Sequence, residues 1–136
     1  MSPLVRAAIL LTIGLAIGAA SSASLVNRLN RASAYPDGVM TVMGQQMKSL
    51  NKNIKANHCA PADLTTQLQT LRLLANNIEP AFEAMQSDAQ FGRYASDLRA
   101  AADGALAAPL TSCPLASAAF DKIDKACDSC HRDYNQ

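Results

Sequence analysis

The chain has 136 residues, 49% hydrophobic and 17% charged, with three Phe, three Tyr, no Trp, four Cys and five Met. That length suits one modest domain, and a net charge of +1 provides neither a basic face for nucleic acid nor an acidic tail. Collagen-like, low-complexity and multi-domain architectures are excluded.

The average hides two unlike parts. Residues 1–34 hold 20 hydrophobic residues; residues 35–136 hold 47, of which 18 are Ala and only 18 are Ile, Leu, Val or Phe. So thin a set of large apolar side chains lies close to the composition at which chains stay disordered. It predicts that something besides side chains fills the interior.

At the N-terminus, Arg6 is followed by an uncharged run, Ala7 to Val26, with the apolar centre AAILLTIGLAIGAA. One positive charge, a short apolar stretch and then small residues is the pattern of a secretory signal peptide. Candidate cleavage sites end at Ala23 and at Ala34. The competing reading is an uncleaved anchor, because 20 uncharged residues just reach across a bilayer; the Ser residues between 21 and 24 weaken its far end. Both readings imply export, to a bacterial periplasm. Residues 1–34 are therefore taken as signal peptide and 35–136 as the domain. The domain carries 9 basic and 11 acidic residues, a net charge of −2, and all four Cys. Export permits disulfides.

From Asp37 onward the apolar residues recur at helical spacing. Met40, Met43, Met47, Leu50 and Ile54 step by alternating threes and fours, as in an antiparallel bundle helix. Pro36-Asp37 is a start signal and Asn57-His58-Cys59-Ala60-Pro61 a stop. Leu64, Leu68, Leu71, Ala75, Ile78 and Phe82 mark a second helix, kinked or interrupted before Pro80. Phe91, Tyr94, Leu98, Ala101 and Leu106 mark a third, which stops before Pro109. Phe120, Ile123, Cys127, Cys130 and Tyr134 mark a fourth, opened by Pro114. No segment alternates with period two. Four helices with short connections predict an all-α, up-down-up-down four-helix bundle.

The last helix carries Cys127-Asp128-Ser129-Cys130-His131, a C-x-x-C-H sequence and the attachment signature of c-type haem. Two thiols three residues apart share one helix face and can form thioethers with the two vinyl groups. His131, four residues after Cys127, offers an imidazole to the iron as proximal ligand. A thiol-redox C-x-x-C belongs at a helix N-terminus, where the dipole lowers a thiol pKa; here it lies near a C-terminus. Structural zinc wants two further Cys or His ligands at suitable spacing, and only His58 and distant Cys residues remain. Haem also accounts for the thin core.

Cys59 falls in the first connection and Cys113 in the third, which share one end of such a bundle. A Cys59–Cys113 disulfide is expected, stapling a small domain. The pair also serves as a ruler. His131 lies 18 residues beyond Cys113, about 27 Å at 1.5 Å per residue. Eighteen residues back from Cys59 is Thr41, so the haem is expected beside Met40 and Met43, with Met47 about two turns too far along. A Met thioether opposite His makes a six-coordinate, low-spin iron suited to electron transfer; Met40 is the first choice over Met43. His58, at the disulfide end, reads as a solvated loop residue.

At this point the chain resembles the class II cytochrome c family, the cytochrome c-prime type with its low-spin relatives. The likeness spans nearly all of 35–136 and is strongest from Phe120 to Tyr134, FDKIDKACDSCHRDY. Met40-Thr41-Val42-Met43-Gly44 looks like the family's first helix, with Met40 at the position facing the sixth coordination site. The resemblance implies a four-helix bundle with one covalent haem, held by Cys127, Cys130 and His131. In the low-spin branch a first-helix Met ligates the iron and the protein carries electrons between redox partner proteins, without catalytic residues. In the c-prime branch the distal residue leaves a five-coordinate iron that binds nitric oxide or carbon monoxide. A homodimer is a family possibility. The chain departs from the family at Asp128, Asn135 and Pro36, and by a short connection between its second and third helices that leaves one pocket wall open. A haem-free helical thiol or metal-binding protein is the alternative from another class.

Overall fold

Helix boundaries follow local chemistry closely in the second half of the chain. The computed structural model describes residues 2–134; Asn135, and the side chains of Ala23, Arg28 and Arg31, lie outside that description. The described residues form five α-helices: α1 (Pro3–Lys55), α2 (Pro61–Ala75), α3 (Ile78–Ala81), α4 (Ala89–Ala107) and α5 (Cys113–Tyr134). A single 3-10 turn covers Glu83–Met85, and the described residues contain no strand. The protein is all-helical.

The chain divides into two compact units, Met1–Tyr35 and Pro36–Gln136. In the first, Ile9–Asn27 is long and apolar enough to cross a membrane, and none of it is buried. Its Thr12, Ser22 and Ser24 hydroxyls donate to Ile9, Gly18 and Ala20 carbonyls at 2.8–2.9 Å. These polar side chains are thereby satisfied within the helix itself, which is the condition for contact with lipid.

The second unit contains the core. At its start the sequence expectation fails: Pro36 opens no new helix but lies inside α1. Proline removes one N–H from the ladder without forbidding helical φ, and its cost is a single missing bond and a local clash. The stop after Lys55 behaves as expected. Asn57 adopts φ 59°, while the His58 N–H donates to Asn53 O (2.8 Å) and the Asn57 N–H to Ile54 O (3.1 Å). That pair of bonds is a Schellman cap.

Pro61 opens α2 at a position where a missing N–H costs nothing. The expected interruption falls at Asn76-Asn77, before Pro80, and the remainder of that segment forms α3 and the 3-10 turn. Asp88 caps α4, its Oδ1 accepting from Gln90 N (2.8 Å) and Phe91 N (3.3 Å).

One hydrophobic cluster joins these elements. Met43 and Leu50 of α1, Leu64, Leu68 and Leu71 of α2, Ile78 of α3, Phe91 and Leu98 of α4, and Ile123 of α5 are buried in it. Small residues let helices approach: Ala95, Ala102 and Ala105 of α4 are buried, and α4 packs closely against both α2 and α5. The α1 backbone approaches the other helices much less closely. Polar bridges tie α4 outward, from Arg72 to Asp103 (2.6 Å) and from Arg99 to Glu79 (2.6 and 3.0 Å). Cys59 and Cys113 stand at disulfide distance, with Cα atoms 5.2 Å apart.

Candidate functional site

The space left by the standing-off of α1 is a cavity of about 220 Å³. Three helices and α3 wall it. Met40, Met43, Gly44 and Met47 come from α1; Tyr94, Ala95 and Leu98 from α4; Asp124, Ala126, Cys127, Asp128, Cys130 and His131 from α5; and Ile78 from α3. The lining is mostly apolar, with soft sulfur donors on two facing helices.

Each residue singled out from the sequence can be placed. Cys127, Cys130 and His131 reach the cavity because spacings of three and four return to one face of α5. Cys127 and Cys130 are free thiols and half-buried; His131 is exposed. Met40 and Met43 line the opposite wall, Met40 half-buried and Met43 only 5% exposed. His58 is exposed at the end of α1, beside the disulfide and outside the cavity lining.

Met47, further along α1 than Met40 and Met43, lines the same cavity. The cavity runs along α1 for the seven residues from Met40 to Met47, about 10 Å, so one level on a ruler does not describe it. Ile78, 4% exposed, contributes to the cavity wall from the segment that follows α2. That residue reaches the cavity because the segment after α2 folds back as α3, which Arg99 of α4 holds through Glu79.

Electrostatics distinguish the thiols from reactive ones. Burial pushes the Cys127 thiol up to about 11, with the carboxylates of Asp124 and Asp128 adding to it. Cys130 is raised for the same reason, burial first and Asp133 second. A thiol-redox motif needs the reverse, a cysteine with an easily formed thiolate. Asp124 is itself raised, by burial and then by Asp128 and Asp121. Among the described residues no three His, Cys, Asp or Glu side chains converge as a metal-ion cluster.

Two acidic groups near the site accept hydrogen bonds from tyrosines. The Tyr94 hydroxyl donates to Asp133 (2.5 Å) and the Tyr134 hydroxyl to Asp88 (2.6 Å). The bond to Asp88 raises Tyr134 to about 12 and, being the largest influence on Asp88, lowers that carboxyl. The motif reading did not find Tyr94, Asp124, Gly44 or Ile78. Tyr94 and Ile78 had a signal in their places on apolar stripes, which marked them as inward-facing without assigning them to the cavity. At Gly44 an added methyl would meet no protein atom within 4 Å, so the wall is open there.

The donor set suits a haem of the c type: two unactivated thiols, an imidazole and facing thioethers around an apolar space. No protein-family model, curated protein or solved structure matches this chain.

Proposed function

We propose that the protein is an exported monohaem c-type cytochrome of the class II kind, acting as a one-electron carrier. In this reading the second unit is an antiparallel four-helix bundle made by the later part of α1 with α2, α4 and α5. One observation carries the reading: Cys127, Cys130 and His131 line the same apolar cavity as the Met40 thioether. A second supports it, since the raised Cys127 thiol disfavours thiol redox chemistry.

Cys127 and Cys130 would each add S–H across one vinyl group, the sulfur bonding to carbon and the proton ending on the neighbouring vinyl carbon. His131 would ligate the iron from α5 and Met40 from α1. Bound haem supplies a reversible one-electron couple at iron. The protein's own part is to exclude water through Met43, Leu98 and Ile78, and to hold both ligands in place. A thioether opposite imidazole raises the potential, which suits a carrier between redox partner proteins. The Ile9–Asn27 stretch supports export to the periplasm as a signal segment.

The test is periplasmic expression beside a haem-attachment system, a pyridine haemochrome assay and optical spectra of both oxidation states. Covalent haem with low-spin bands in both states is expected. Absence of covalent haem sinks the cytochrome reading. High-spin bands with prompt carbon monoxide binding replace the carrier with a five-coordinate, gas-binding protein.

A further inference from the structure

His131 is carried on α5 three residues before Tyr134, in the stretch that borders the cavity. How firmly an imidazole there is held depends on what ties that stretch of α5 to its neighbours.

Two hydrogen bonds cross between the end of α5 and the start of α4. Tyr94, on α4 and in the cavity wall, donates its hydroxyl to Asp133 Oδ2 at 2.5 Å. Tyr134, on α5, donates to Asp88 Oδ2 at 2.6 Å. Each helix end thus supplies one tyrosine and one carboxylate to the other. Asp88 is already fixed, because its Oδ1 caps α4 through the Gln90 and Phe91 amides. The rings reinforce the pair: Tyr94 and Tyr134 meet edge-on at 6.1 Å, and Phe91 and Tyr134 at 5.3 Å.

We propose that these two Tyr–Asp hydrogen bonds form a reciprocal clamp that makes Tyr94 and Asp133 positioning residues for the His131 imidazole. The clamp rests on the haem-protein reading given above. It holds the final turn of α5 to the capped, rigid start of α4, and Tyr94 couples that hold to the cavity wall itself. Asp133 is two residues from His131, so release of its carboxylate frees the backbone on which the ligand is mounted.

The test uses the holoprotein and removes oxygen atoms while keeping rings. In Tyr94→Phe and Asp133→Ala, amide hydrogen exchange across residues 127–134 is expected to rise about tenfold, the loss of one hydrogen bond to a charged group. Exchange across residues 64–75 of α2 stays unchanged, and the midpoint potential shifts. Asp133→Asn retains an acceptor oxygen and restores both readings toward wild type. Tyr134→Phe gives the same exchange pattern from the other arm of the clamp. Arg72→Gln, which breaks the remote Arg72–Asp103 bridge, leaves potential and last-turn exchange unaltered. An unmoved potential or unchanged last-turn exchange in Tyr94→Phe overturns the proposal, as does an equal rise in α2. Wild-type protein that attaches no haem overturns the functional reading instead, and the positioning role with it.

Discussion

The two ends of α5 are packed differently. Near its start, beside the Cys59–Cys113 pair, the neighbourhood is filled by protein: Cys59, Leu64, Leu110 and Ala116 are all buried. Beyond Ile123, which is fully buried, the inward residues Ala126, Cys127, Cys130 and Tyr134 are only half-buried. Ala126, Cys127 and Cys130 line the cavity, while Tyr134 packs on Phe91 and Tyr94 of α4. The apolar stripe of α5 thus runs past the packed core to a stretch where part of it borders open space. The end with the covalent cross-link is closed by side chains, and the end with free thiols leaves room.

The strongest way to break this contrast is to remove the thiols. In Cys127→Ser/Cys130→Ser, covalently bound haem should be lost entirely, as read by the haemochrome assay after acid–acetone extraction. The disulfide end should keep its protection from hydrogen exchange, because its packing involves no guest. Haem that remains covalently bound in the double variant would refute attachment at these residues.

Cutting the other end gives the next largest effect. The disulfide closes a loop of sequence separation 54, and the chain-entropy treatment gives about 4 kcal/mol for a loop of that size. Cys59→Ser/Cys113→Ser should therefore lower the urea unfolding free energy by about that amount, with the optical spectrum unchanged. A spectral change would mean that the two ends are not independent.

Much of this organisation is legible from residue spacing, and its limits have physical reasons. Leu64, Leu68, Leu71 and Ala75 are all buried as their period requires, and Ile123 is the inward centre of α5. Periodicity identifies a face, and a motif at i and i+3 identifies a chemistry. Neither says which residues of another helix lie opposite. Ile78 lines the cavity from α3, beyond the turn at Asn76-Asn77; an interruption before Pro80 is legible in the sequence, but not where the chain goes after it. Tyr94 reads from the sequence only as part of an apolar stripe, and nothing in the sequence pairs it with Asp133. Their hydrogen bond depends on the relative rotation of α4 and α5, which no single-helix pattern encodes. Pro36 misled for the opposite reason: a local start signal is weak against a helix that simply continues.

The methionines of α1 divide the contrast more finely. Met43 is 5% exposed and belongs to the packed core, whereas Met40 is half-buried at the cavity. Met43→Ala should cost about 2–3 kcal/mol of unfolding free energy with a low-spin spectrum retained. Met40→Ala should do the reverse, costing little stability and converting the spectrum to high spin. If the two outcomes are exchanged, Met43 is the ligand and Met40 the filler.

The smallest expected effect concerns acid, and it tests whether the open end is held by its polar bridges. Arg99 donates two hydrogen bonds to Glu79, the main influence keeping that carboxyl below its usual 4.5. A folded-state pKa that is depressed means the unfolded chain binds the proton first as pH falls. The contribution of the pair is therefore complete above about pH 4.5 and is lost as pH drops through the lower folded value. For a partly exposed ion pair it amounts to about 1 kcal/mol at most. Urea midpoints of wild type and Arg99→Gln should differ at pH 7 and converge toward pH 3. A gap that persists at pH 3 would assign the loss to the Arg99 bond with the Ala75 carbonyl and to packing, leaving Glu79 no part in fixing α3 over the cavity.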